Sequence, residues 1–257
     1  MPILLSITEI ESMTKAKPYQ ILPLIYPHLM KRIRYDKWAV YLYEIVRKDC
    51  PKKSKVLELA AGDCSFAKYF IKYYPSLTVS DISRSMLSMD NHIKNKICCN
   101  MLYLPFKSKY DLIYSNFDSI NYILSVKLFL KLFTEVSLLL TDDGIFVFDV
   151  SLEKNSYIHA RKNNREGKYK GLAYQQNSTY NPDSGIHINK FAIKLANGDE
   201  YSEIHREKIY SFDTYFKLID KTSLHVVDCF EAFTFKPGNN NSNRIQFILK
   251  KNTHAEI

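Results

Sequence analysis

The run Val56-Leu57-Glu58-Leu59-Ala60-Ala61-Gly62-Asp63-Cys64-Ser65 limits what this chain can become more than any other stretch. A short apolar segment carrying one acid passes into small residues, and Phe66-Ala67-Lys68-Tyr69-Phe70-Ile71 then has helical character. A strand ending in a tight turn of small residues and opening a helix lets backbone N–H groups approach a ligand closely.

Alternation continues downstream. Ser76–Asp81 is a second short strand ending on an acid, Lys96–Met101 a third, and Tyr110–Ser115 a fourth. An amphipathic helix over Val126–Leu140, an exit at Thr141-Asp142-Asp143-Gly144 and a strand at Ile145–Val150 follow. Upstream, Asp36–Lys48 repeats apolar residues at helical spacing. Asp81 lies 23 residues beyond Glu58. At that spacing in a nucleotide fold, an acid at the end of the second strand accepts hydrogen bonds from ribose hydroxyls.

The run 56–65 resembles the glycine-rich motif of class I S-adenosylmethionine (AdoMet) methyltransferases, in which an acid precedes three glycines at alternate positions. Here Gly62 is the middle one, and Ala60 and Cys64 stand where the others would be. Asp81-Ile82-Ser83-Arg84-Ser85-Met86-Leu87 and Leu104-Pro105-Phe106 are also similar to that family. Asn116-Phe117-Asp118-Ser119-Ile120-Asn121-Tyr122 resembles a signature of a bacterial small-molecule branch that includes amino-sugar N-methyltransferases. The resemblance spans about residues 35 to 150.

It implies an α/β fold: a seven-stranded Rossmann-like sheet with helices on both faces and an inserted three-stranded antiparallel β-meander lid. It implies AdoMet as cofactor, with Glu58, Ala60 and Gly62 at the methionine part and Asp81 at the ribose. Ile82 and Met101 would flank the adenine, Asn100 would stand in for the acid that reads its amine, and Phe117 and Asp118 would lie near the transferring methyl. Tyr26 and Trp38 resemble the aromatic N-terminal segment that folds over the cofactor. The departures at 60, 64 and 100 keep a non-catalytic, methyltransferase-like binding protein open as the alternative.

From Ser151 the alternation stops. Residues 153–171 are polar and basic and read as a loop or irregular helix. Ala173–Tyr180, Ile186–Lys194 and Glu200–Tyr210 read as three strands joined by hairpin turns, and resemble the lid of the same branch. Glu203, His205 and Glu207 share one strand face. His205 is the candidate general base or acceptor contact, with Asp118 and Tyr210 as further catalytic candidates. A helix over Ser211–Leu218 and strands at His225–Phe235 and Arg244–Lys250 complete the main sheet. The expected domains are a helical cap at 1–50, an AdoMet-binding domain at 51–152 with 211–251, and the insertion at 153–210.

Composition narrows the rest. The 257 residues are 46% apolar and 25% charged, ordinary for a globular protein. The net charge of +9 is spread along the chain, which suits general surface character better than a nucleic-acid footprint, though RNA or protein acceptors stay as alternatives. No apolar run approaches a membrane span, and the N-terminus lacks a basic region before its apolar residues. Five scattered cysteines form no C-x-x-C pair or metal spacing and suit a reducing cytoplasm. The expected partner is a small polar methyl acceptor, nitrogen ahead of oxygen, with a homodimer left open.

Overall fold

The structure, a computed structural model, describes residues 12–252. β1 (Thr14–Lys15) precedes short turns of helix at Leu22–Leu24 and Tyr26–Leu29 and the longer helix Tyr35–Val46. Then come β2 (Val56–Leu59), β3 (Thr78–Asp81), β4 (Lys96–Cys98) and β5 (Tyr110–Ser115). The helix Val126–Leu139 leads into β6 (Leu140–Ser151), and the helix Glu153–Lys162 into β7 (Arg165–Tyr169), β8 (Leu172–Asn181), β9 (Ile186–Lys194) and β10 (Glu200–Lys208). The helix Phe212–Ile219, β11 (Leu224–Glu231) and β12 (Arg244–Lys251) follow.

These elements form two compact units. One combines the segment through Ile33 with Glu153–Ile209; the other combines Arg34–Leu152 with the chain from Tyr210 onward. The expected cap of residues 1–50 is thereby divided, its helix Tyr35–Val46 belonging to the second unit.

The second unit is built on a seven-stranded sheet in the order β11-β12-β6-β5-β2-β3-β4. β2 to β6 run parallel, while β12 is antiparallel to β6 and β11. Helices cover both faces. The helices Val126–Leu139 and Phe212–Ile219 pack Phe129, Phe133 and Tyr215 against Phe146, Phe148 and Phe247. The helix Tyr35–Val46 and the turn Ala67–Phe70 pack Leu42, Val46 and Phe70 against Val56, Tyr114 and Val147 on the other face. Coverage on both sides explains why β2 and the Ile145–Val150 part of β6 read as nearly unbroken apolar runs. Serine caps fix three helix starts: Ser83 Oγ accepts from Met86 N–H, Ser125 Oγ from Leu128 N–H and Ser211 Oγ from Thr214 N–H.

Two local expectations change. The helix after the 56–65 run shrinks to the single turn Ala67–Phe70. Residues 141–144, expected as a helix exit, already lie within β6. Gly144 is the reason: a Cβ there would lie 3.0 Å from Tyr110 O, so glycine permits the close approach of β6 to β5 where their register slips.

The first unit is a five-stranded sheet in the order β1-β10-β9-β8-β7, antiparallel except for the β1–β10 pair. The three expected strands are present, and two more flank them. The stretch 153–171 is a helix followed by β7, whose largely polar sequence hides an edge strand. Arg165 Nε donates to Gln176 Oε1 at 2.8 Å, and Gly167 lets the Tyr174 ring lie against the backbone. Leu22, Ile25, Tyr174, Phe191 and Ile193 form this unit's core.

Candidate active site

The turn after β2 keeps the backbone of a glycine loop without its glycines. Ala60, Gly62 and Cys64 all have left-handed φ, at +55°, +56° and +60°. An L side chain in that region costs about 1–2 kcal/mol, so neighbours must hold the turn. They do: Ala61 N–H donates to Ser80 O at 2.9 Å, and Gly62 N–H to Asp81 Oδ2 at 2.8 Å. Cys64 is fully buried, and burial pushes its thiol up to about 12, so it packs as a small apolar group rather than a nucleophile.

Beneath the turn, Glu58 is enclosed and accepts from Tyr114 Oη at 3.0 Å. Burial first, then the nearby Asp81 and Asp63 carboxylates, push its carboxyl up to about 8, partly offset by the Tyr114 hydrogen bond. Tyr35 stands beside the turn, its ring 5.2 Å from that of Phe117.

Asp81 ends β3 with both carboxylate oxygens engaged, Oδ1 accepting from Ser83 N–H at 2.7 Å. Burial raises its carboxyl above the ordinary range, against the pull of the Ser83 and Gly62 amides. Ile82 beside it is 62% exposed, an apolar surface next to a hydrogen-bond acceptor. Asn100 Oδ1 accepts from Leu102 N–H at 2.9 Å, and Met101 packs on the core edge. A carboxylate whose oxygens each keep a second lone pair, an exposed aliphatic face and a backbone left-handed at three alternate residues fit a nucleoside whose far end reaches the turn.

Past β5, Phe117 and Asp118 are both left-handed, at +61° and +51°. Two such residues in succession mark backbone held by its surroundings. Phe117 lies 3.8 Å, ring to ring, from Trp38, which also meets Phe233 edge-on at 4.3 Å. Asp118 is not free for chemistry: Oδ2 accepts from Arg244 Nη2 at 2.8 Å and from Ser151 Oγ at 2.5 Å. Arg244 also pairs with the buried Asp149, whose Oδ2 accepts from Asp118 N–H at 3.0 Å. Burial lifts the Asp149 carboxyl above the ordinary range despite Arg244. Sequence reasoning missed this triad. A lone acid in the apolar run Ile145–Val150 was its one visible signal; nothing local pointed to Arg244.

The remaining candidates disperse. Tyr210 belongs to the seven-stranded unit and sets its ring edge-on to Tyr215 at 5.7 Å and to Phe129 at 6.5 Å. Tyr26 and His205 belong to the five-stranded unit. His205 is 1% exposed, with Nε2 3.2 Å from Glu203 Oε2 and its ring against Tyr19 and Phe191. The strand face that carries His205 is therefore enclosed rather than solvated. Glu203 accepts from the N–H groups of Tyr19, Ile21 and Leu22. Burial alone would raise its carboxyl; His205 and those amides hold it below the usual range. The pair therefore anchors residues 19–22.

The order of the seven-stranded sheet is that of the Rossmann-like fold of class I AdoMet-dependent methyltransferases. Residues 57–148 match the family described as methyltransferase domain. A protein of Geobacillus sp. WCH70 carrying a methyltransferase assignment is 25% identical over 248 residues, covering 91% of this chain and 99% of its own. An S-adenosylmethionine-dependent methyltransferase from Clostridium acetobutylicum shares the fold with a TM-score of 0.74 at 20% identity, over 89% of this chain and 96% of its own. The sugar N-methyltransferase KedS8 of Streptoalloteichus shares it at 0.70 and 11%, over 88% and 91%. The match over residues 57–148 and the shared fold together support an AdoMet-dependent methyltransferase, with AdoMet as its cofactor.

Proposed function

We propose that this enzyme methylates a nitrogen or oxygen of a small polar acceptor, nitrogen ahead of oxygen. The observation that carries the reading is the arrangement just past β5, where Phe117, Trp38 and the Asp118–Arg244–Asp149 triad set an aromatic and polar surface behind a turn suited to AdoMet. Similarity in fold to a sugar N-methyltransferase supports a small acceptor. AdoMet supplies a methyl on a sulfonium, a ready electrophile, so the protein's task is to orient an acceptor lone pair and exclude water.

Each residue then has a defined part. Ala60 to Gly62 present backbone to the methionine portion, Glu58 supports that turn, and Asp81 accepts from the ribose. Ile82 and Met101 cover the adenine, and Asn100 has a second lone pair for its amine. Arg244 fixes Asp118 and hence the path of Phe117. Release of S-adenosylhomocysteine from AdoMet in the presence of amino sugars, simple amines and their hydroxyl analogues tests the proposal. Turnover on an amine and not on its hydroxyl analogue is the expected result; turnover confined to RNA or protein would overturn it.

A further inference from the structure

The sheet face beneath the helix Tyr35–Val46 carries polar groups that none of the described residues satisfies. Among the described residues, Asn116 Oδ1 and Nδ2, Gln246 Oε1 and Nε2, Asp149 Oδ1 and Trp38 Nε1 are buried without a hydrogen-bond partner. They converge. Gln246 is in register with Asp149 across β12 and β6, and Asn116 follows Ser115, which pairs with Phe148. Asn116, Asp149 and Gln246 thus project from three adjacent strands on the side where Tyr114, Val147 and Ile248 meet that helix. Tyr41, from the helix, is close enough to Asp149 to feel its charge. Stranding one buried polar group costs about 1–3 kcal/mol, so six in one place point to a ligand that uses them.

The character of that ligand follows from the charges. Two carboxylates, Asp118 and Asp149, share one guanidinium, Arg244, leaving one negative charge unmatched in a buried setting. Asp149 Oδ1 and the two amide oxygens are acceptors, and the aromatic wall of Trp38, Phe117 and Phe233 already holds one cation, the Arg244 guanidinium 5.7 Å from the centre of the Trp38 ring. We infer that this recess binds a small organic ammonium group, a charged amine of the acceptor other than the atom whose lone pair receives the methyl. Phe233 is its movable wall: it is half exposed, sits on a left-handed residue at φ +66°, and covers both Trp38 and Tyr41. The inference rests on the methyl-transfer proposal only in equating the bound amine with the acceptor.

Trp38 is the sole tryptophan of the sequence, so its emission reports on the recess directly. The full chain is titrated with methylammonium chloride, against sodium and potassium chloride at matched ionic strength, with AdoMet binding followed in parallel by calorimetry. A saturable emission change with methylammonium alone is expected, its midpoint moved at least tenfold by Gln246→Leu or Asn116→Leu. Phe233→Ala, a surface change that spares the core, should alter the methylammonium midpoint with no change in the sodium control. Identical responses to methylammonium and sodium, or variants that respond as wild type, would overturn the site. A response to potassium alone would replace an organic ammonium by an inorganic cation and overturn the assignment. Absence of AdoMet binding strikes the methyl-transfer proposal and leaves the recess standing. Absence of the emission change with AdoMet still bound strikes the recess alone.

Discussion

Asp81 and Gly62, 19 residues apart, are joined by a 2.8 Å hydrogen bond from the Gly62 N–H to Asp81 Oδ2. One carboxylate therefore shapes the turn, and in the proposed site it also accepts from the cofactor's ribose. Asp81→Ala should weaken AdoMet binding by roughly 10- to 100-fold, since hydrogen bonds to a charged group contribute about 1.5–3 kcal/mol. Asp81→Asn, which keeps one acceptor oxygen, should fall between. Calorimetric titration checks the order; wild-type affinity in Asp81→Ala would remove the carboxylate from the site.

The left-handed turn predicts opposite effects for two small substitutions. Ala60→Gly relieves strain of about 1–2 kcal/mol against an entropic cost of about 0.5–1 kcal/mol, and should raise the melting temperature by a degree or more. Gly62→Ala meets no severe clash, its Cβ lying 3.5 Å from Met86 Cε, but inherits the strain and should melt earlier. Thermal scans of both variants decide it.

Arg244 predicts the largest loss. Arg244→Leu leaves Asp118 and Asp149 facing each other with no counter-charge, and should destabilise by about 3–5 kcal/mol in urea unfolding. Adding Asp118→Asn and Asp149→Asn to it should restore part of that stability. An additive further loss would mean that the two acids were never held by the arginine.

Glu58 gives a pH dependence whose sign is fixed. Its folded carboxyl, at about 8, lies above the unfolded value, so the folded chain holds the extra proton between roughly pH 4.5 and 8. This contribution is full below the unfolded value and is lost as pH rises through the folded one, by at most about 1.4 kcal/mol per pH unit. Glu58→Gln should therefore melt higher than wild type at pH 8 and lose that advantage near pH 4.5. Parallel melting curves across this range would refute the assignment.

Much of the fold was legible because it is written locally. Val56–Leu59 and Ile145–Val150 are apolar runs since both faces of the parallel sheet are covered, and the Gly62–Asp81 spacing is one βαβ unit long. What stayed hidden depends on distance. Arg244 meets Asp118 from 126 residues away, and a lone arginine opening a strand carries no sign of its partner. β7 was missed because an edge strand with few apolar side chains does not alternate. The setting of His205 was hidden for a related reason: alternation gives it a strand face, but the burial of that face comes from Tyr19, far along the chain.

The Glu203 anchor also sets an order of events during synthesis. The amide of Tyr19 waits for a carboxylate 184 residues further on, and β1 for a β10 strand equally late. At roughly 5–20 residues per second, that interval is on the order of 10–40 seconds. Throughout it, Leu22 and Ile25, later fully enclosed, have no core to enter. The first segment of the five-stranded unit to leave the ribosome is thus among the last to be secured, and chaperones have their longest opportunity there.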